Sequence, residues 1–232
     1  MGEPRILILG GWSPGPLHHL KYYLKQKNCV VIEPNIPMPP MGCSWCCDVS
    51  MFALLAVLGL MMWGCISVQH TRGARLIIVA VSLVLLRRCV AWIVRRSIKR
   101  GVQQAERYLP EVAIVIGFSW GGGIVAELLR RALVGGDEQA AALLIAPTTA
   151  LMASVALQRD AASVVRSQDS NKVHVFHGRH DQAFCPHAQR WEQTGVTLHL
   201  CEDNHVFLRQ DSIQALVDTL AELLDNSELR TC

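Results

Sequence analysis

Val112-Ala113-Ile114-Val115-Ile116-Gly117-Phe118-Ser119-Trp120-Gly121-Gly122 is the stretch around which the rest of the chain can be ordered. The run Val112–Ile116 is rich in β-branched residues and reads as a buried strand. Ile124-Val125-Ala126-Glu127-Leu128-Leu129-Arg130-Arg131, a few residues on, reads as a helix. A strand that turns this sharply into a helix lifts one side chain, here Ser119, into a strained and presented position. Glycines flank it because a Cβ at either place would collide with the turn. Composition alone can produce Gly-x-Ser-x-Gly by chance, but not the strand before it and the helix after it.

Working outward, strands and helices alternate with short connections on both sides, the pattern of a parallel sheet covered by helices on both faces. Strands are expected at Arg5–Leu9, Cys29–Ile32, Ala113–Gly117, Ala141–Ala146, Lys172–Phe176 and Val196–Leu200. Helices are expected at Leu17–Lys27, Ser97–Tyr108, Gly121–Ala132, Met152–Val165, near His187–Gln193, and at Ile213–Asp225. The fold class is therefore α/β, a three-layer sandwich of about six mostly parallel strands. The sheet domain comprises residues 1–36 and 97–232.

Residues 37–96 break this rhythm. Met51–Val68 is eighteen residues without a charge, long enough to cross a bilayer. Gln69–Arg75 reads as a turn, and Leu76–Leu86 is apolar again before Arg87-Arg88 and Cys89–Val94. The insertion is expected to be a helical hairpin, transmembrane or re-entrant, whose second arm must snorkel its two arginines. A buried core hairpin is the alternative, with little protein left to cover it. Six arginines against Asp48 give residues 41–96 a net charge of +5 within a chain of +3. The positive charge belongs to the hydrophobic segment, which favours an anionic membrane surface as partner and argues against nucleic acid. Arg87–Arg100 is the richer basic flank, so the sheet domain is expected to face the cytosol.

The nine cysteines are odd in number and scattered. The chain opens as a short strand followed by glycines, unlike a secretory signal peptide, so free thiols in a reducing compartment are expected. Cys43, Cys46 and Cys47 stand just before the first apolar run. Their spacing is compatible with zinc, but no second cluster accompanies it, and S-acylation or unmodified thiols fit a juxtamembrane place better. No metal or other cofactor is expected.

A serine hydroxyl needs a base to take its proton, and the base needs a carboxylate to fix its tautomer. The base candidate is His205, in Cys201-Glu202-Asp203-Asn204-His205, and the acid candidate is Asp181, in His177-Gly178-Arg179-His180-Asp181. Each follows a strand, so all three would lie along the carboxyl edge of one parallel sheet, where open α/β folds bind ligands. Asp181 also suits a turn or helix N-cap, and His205 could merely cap the last helix. Asp203 and Asp160 are reserve acids. His177 and His180 invite a metal reading with Asp181, though three ligands on one turn demand unusual geometry. Trp120 could line a pocket or simply pack.

Gly-Phe-Ser-Trp-Gly-Gly, His-Gly-Arg-His-Asp and the histidine before the last helix make the chain resemble the α/β-hydrolase family, in particular its compact, cap-less members. The resemblance covers residues 1–36 and 97–228 and implies Ser119 as nucleophile, Asp181 as acid and His205 as base. It also implies an oxyanion hole built from the backbone N–H of Trp120 and one from the loop Gly10–Gly15, Trp12 first and Gly11 next. The family often has His-Gly where this chain has Gly10-Gly11, and two N-terminal strands of longer relatives are missing. The activity implied is hydrolysis of a carboxylic ester or thioester. The insertion leaves the second strand at its carboxyl end, so the mouth of the site should face the bilayer and take an acyl substrate from it.

Overall fold

The computed structural model of the chain describes residues 3–38, 56, 59, 63, 72–136, 139–163, 170–181 and 188–228. Six strands form one sheet: β1 (Arg5–Leu9), β2 (Val30–Ile32), β3 (Ile114–Phe118), β4 (Ala141–Ile145), β5 (Val173–Gly178) and β6 (Thr197–Cys201). Their order across the sheet is β2-β1-β3-β4-β5-β6, and every neighbouring pair is parallel. The α-helices whose bounds lie among the described residues are α1 (Leu17–Gln26), α2 (Arg72–Glu106), α3 (Trp120–Arg130), α4 (Thr149–Ala156) and α5 (Gln210–Glu228).

Strand side chains alternate between faces, and the sheet uses both. Leu7, Leu9, Val115, Ala142, Leu144, Val173 and Val175 pack with α2, α3 and α4. Ile6, Ile8, Ile114, Ile116, Phe118, Leu143, Ile145 and Phe176 pack with α1 and α5. The expected three layers are present. Strand order reverses between β1 and β3, which opens a crevice at the carboxyl ends of those two strands. The loop after β1 and the turn at Ser119 both lie there.

Three expected helices differ. Ser97–Tyr108 is the lower part of α2, a single helix of 35 residues that starts at Arg72, inside the expected turn Gln69–Arg75. Arg87-Arg88 does not interrupt it, because long cationic side chains can leave an exposed helix face without breaking the backbone ladder. Val94 and Ile36 join the core on this face of the sheet, and Ala91 and Ile93 are also buried. The Ser97 hydroxyl donates to the Pro37 carbonyl. Met152–Val165 shortens to α4, which ends where Leu157 takes a left-handed conformation with φ 53°. The helix near His187–Gln193 is one 3-10 turn, Ala188–Trp191.

The chain leaves β2 at the carboxyl edge and enters β3 at the opposite edge, so α2 runs antiparallel to the strands. Its N-terminal part points beyond the carboxyl edge. That part is exposed and apolar: Leu76 is 71% exposed, Ile77 66%, Leu83 54% and Val84 59%. Most of Met51–Val68, and Cys43, Cys46 and Cys47, lie outside the described residues; Ala56, Gly59 and Trp63 are helical and exposed. Among the described residues, no helix is long and apolar enough to cross a membrane.

Candidate active site

Ser119 connects β3 to α3 with φ 54° and ψ −114°, a left-handed strain that a non-glycine residue adopts only when its surroundings enforce it. The enforcement is visible on three sides. Its N–H donates to the Ile145 carbonyl at 2.9 Å. Its own carbonyl accepts from Gly123 N–H at 3.0 Å, from Thr148 N–H at 3.3 Å and from the Thr148 hydroxyl at 3.2 Å. Gly121 N–H donates to Gly10 O at 3.0 Å, drawing the turn against the end of β1. A Cβ on Gly121 would stand 1.9 Å from the Leu9 carbonyl oxygen, backbone against backbone, so only glycine fits there.

Asp181 and His205 arrive from the ends of the next strands. After β5, Asp181 N–H bonds to Gly178 O at 3.1 Å, turning the buried carboxyl inward. After β6, the loop that carries His205 is held by Asp203. One Asp203 carboxylate oxygen accepts from Asn204 N–H at 2.8 Å and the other from Arg209 N–H at 2.9 Å. Asn204 Oδ1 accepts from Val206 N–H at 2.9 Å. The loop crosses directly over Gly178, where a Cβ would lie 2.6 Å from the Asp203 carbonyl oxygen.

The three side chains meet. His205 Nδ1 is 2.6 Å from Asp181 Oδ2, and His205 Nε2 is 2.8 Å from Ser119 Oγ. An ionised carboxylate only accepts hydrogen bonds, so Nδ1 carries the proton and Nε2 is left to accept from the serine hydroxyl. Asp181 is 3% exposed, which leaves little water to compete for that contact.

The reserve acids are occupied elsewhere. Asp203 is a buried loop cap, and Asp160 accepts from Arg190 at 2.8 Å and from Ala162 N–H at 3.0 Å. His177 and His180 do not converge with Asp181. His180 lies beside Glu202 on the surface, and no three potential ligands among the described residues gather around one point.

The loop Gly10–Gly11–Trp12 runs against the nucleophile: a Cβ on Gly11 would sit 2.5 Å from Ser119 Cβ. Trp120 opens α3, where the first N–H groups lack intrahelical acceptors. Neither the Trp120 nor the Trp12 amide has an acceptor among the described residues. The two indoles stack with ring centroids 5.9 Å apart. Trp120 is buried, and its ring N–H has no hydrogen-bond partner among the described residues. Sequence reasoning missed Thr148 and the capping role of Asp203. Thr148 comes shortly after β4, in Ala146-Pro147-Thr148, a position from which it reaches the adjacent turn.

No protein-family profile matches the chain, and no curated protein does. The fold is shared with solved structures. One is a protein from Xanthomonas campestris pv. campestris assigned to the alpha/beta hydrolase superfamily, 17% identical, covering 97% of this chain and 99% of its own, with a TM-score of 0.53. Another is an uncharacterized protein from Bacillus cereus, 11% identical, covering 96% of this chain and 60% of its own, with a TM-score of 0.50. The chain has the α/β-hydrolase fold.

Proposed function

We propose that the protein is a serine hydrolase that cleaves carboxylic esters or thioesters through an acyl-enzyme, acting on acyl substrates presented from a membrane. The observation that carries this reading is the pair of contacts at His205, 2.6 Å to Asp181 and 2.8 Å to Ser119. Oγ of Ser119 attacks the carbonyl carbon while its proton passes to His205 Nε2, and Asp181 stabilises the imidazolium. The carbonyl oxygen becomes an oxyanion, and the free amides of Trp120 and Trp12, with Gly11 beside them, are the donors to meet it. Each such donor contributes about 3 kcal/mol to the barrier reduction. The tetrahedral adduct collapses as His205 returns the proton to the leaving oxygen or sulfur. Water, deprotonated by the same imidazole, then releases the acid and restores Ser119.

The exposed apolar stretch Leu76–Leu85 supports the membrane part of the reading, because it rises from the edge of the sheet that bears the triad. A helix apolar on all sides needs a nonaqueous surrounding. The hairpin then takes the place of a cap, with the sheet domain on the cytosolic side.

A fluorophosphonate probe should label the wild type and leave Ser119→Ala unlabelled. Asp181→Asn should slow turnover by about 10⁴, since the amide favours the wrong imidazole tautomer. Unlabelled wild type would leave a membrane adaptor with this fold as the surviving description. Replacing Leu76, Val81, Leu83, Val84 and Leu85 by Gln should leave short water-soluble esters unaffected and depress hydrolysis of long-chain esters in vesicles. Equal rates on both substrates would remove the membrane substrate and keep the hydrolase.

A further inference from the structure

Resting on the membrane reading above, we propose that Arg88, Trp92, Arg96 and Lys99 form a docking surface for the anionic headgroups of bilayer phospholipids. Spacings of four, four and three place these residues on one face of α2, spread over about 16 Å of its length. The same face carries Val81 and Leu85 one to two turns earlier, both about half exposed. Within one turn that face changes from hydrocarbon to cation, the order met on passing from acyl chains to headgroups.

Two observations make this more than a basic surface. Trp92 is 47% exposed, and the Arg96 guanidinium carbon lies 5.2 Å from its ring centroid. That contact orients the cation beside an aromatic group of the kind favoured at the water–lipid boundary. Charge balance is also missing. Arg88, Arg96 and Lys99 have no carboxylate partner among the described residues, and the first acid along α2 is Glu106, which pairs with Arg131 at 3.4 Å. A surface helix supported by its own ion pairs would alternate signs. Arg95 is not part of the surface, because its guanidinium donates to the Ala156 and Leu157 carbonyls at 2.6 and 2.8 Å. The adjoining apolar residues favour a lipid over a nucleic acid as the source of negative charge.

The test uses the full chain reconstituted into phosphatidylcholine bilayers containing phosphatidylserine, with one or the other lipid brominated near the headgroup. The Trp92 signal is the difference between wild type and Trp92→Phe, a substitution at an exposed site. Brominated phosphatidylserine should quench Trp92 more strongly than brominated phosphatidylcholine at equal content. That preference should fall about fivefold for each cation removed in Arg88→Gln and Arg96→Gln. Equal quenching by the two lipids, or a preference unchanged in the variants, would overturn the docking surface and leave the membrane reading intact. No quenching by either lipid would overturn both.

Discussion

Two parts of α2 invert the usual relation between hydropathy and burial. The upper part, Leu76–Leu85, has one polar residue, Ser82, yet Leu76 is 71% and Val84 59% exposed. The lower part, Ala91–Ala105, contains three arginines and a lysine, yet Val102 and Ala105 are fully buried. Pattern explains the difference. Val94, Ile98, Val102 and Ala105 recur at spacings of three and four, so one stripe meets the sheet while the charges occupy the other side. The upper part has no polar side to turn to water and no stripe distinct from the rest. Apolar content says how much a helix must hide; its periodicity says whether one protein surface can hide it.

The strongest way to break this comparison is a matched pair of charges. Val102→Asp buries an uncompensated carboxylate and should cost on the order of 3–5 kcal/mol in detergent unfolding. Val84→Asp should change the same measurement by no more than about 0.5 kcal/mol, while weakening retention in bilayers. Equal losses would mean that the upper part is packed in protein after all. A smaller effect sharpens where the two parts divide. Arg95 ties α2 to the end of α4, and Arg95→Ala should cost about 1–2 kcal/mol in the same unfolding, with Arg95→Lys partly restoring it.

The smallest effect is a control placed away from α2, between β5 and β6. His199 stacks on Phe176 and lies 3.0 Å from His174 across the strands. Burial, and then the neighbouring His174, hold its pKa below the usual 6.5. The unfolded chain therefore takes up the proton first as pH falls, and stability should decline slightly below about pH 6.5. His199→Gln should flatten that decline, measured as melting temperature against pH. The flattening should be the same with Val84→Asp present, since the two sites share no contact.

Much of the site was legible because each of its residues comes shortly after the end of a strand. Position along the chain then becomes position along one sheet edge, and Ser119, Asp181 and His205 needed no contact information beyond the alternation of strand and helix. What could not be read were matters of partnership. Asp181, Asp203 and Asp160 are all buried aspartates that follow the nucleophile in the chain, and only geometry separates the one facing His205 from the loop cap and the partner of Arg190. The continuity of α2 was hidden for a related reason. Two adjacent arginines, Arg87-Arg88, look like an interruption in one dimension, but on a helix their side chains leave the axis in different directions and the backbone bonds continue. The shortened α4 was equally hidden, since Leu157 adopts its left-handed turn without a glycine to announce it.

Between Leu85 and Ala91 the helix contains neither proline nor glycine, only Leu86-Arg87-Arg88-Cys89-Val90. Angular phase between the two parts is thus stored as a count of residues. One residue added there would swing everything above it by about 100° and raise it about 1.5 Å, while every contact below stayed as it was.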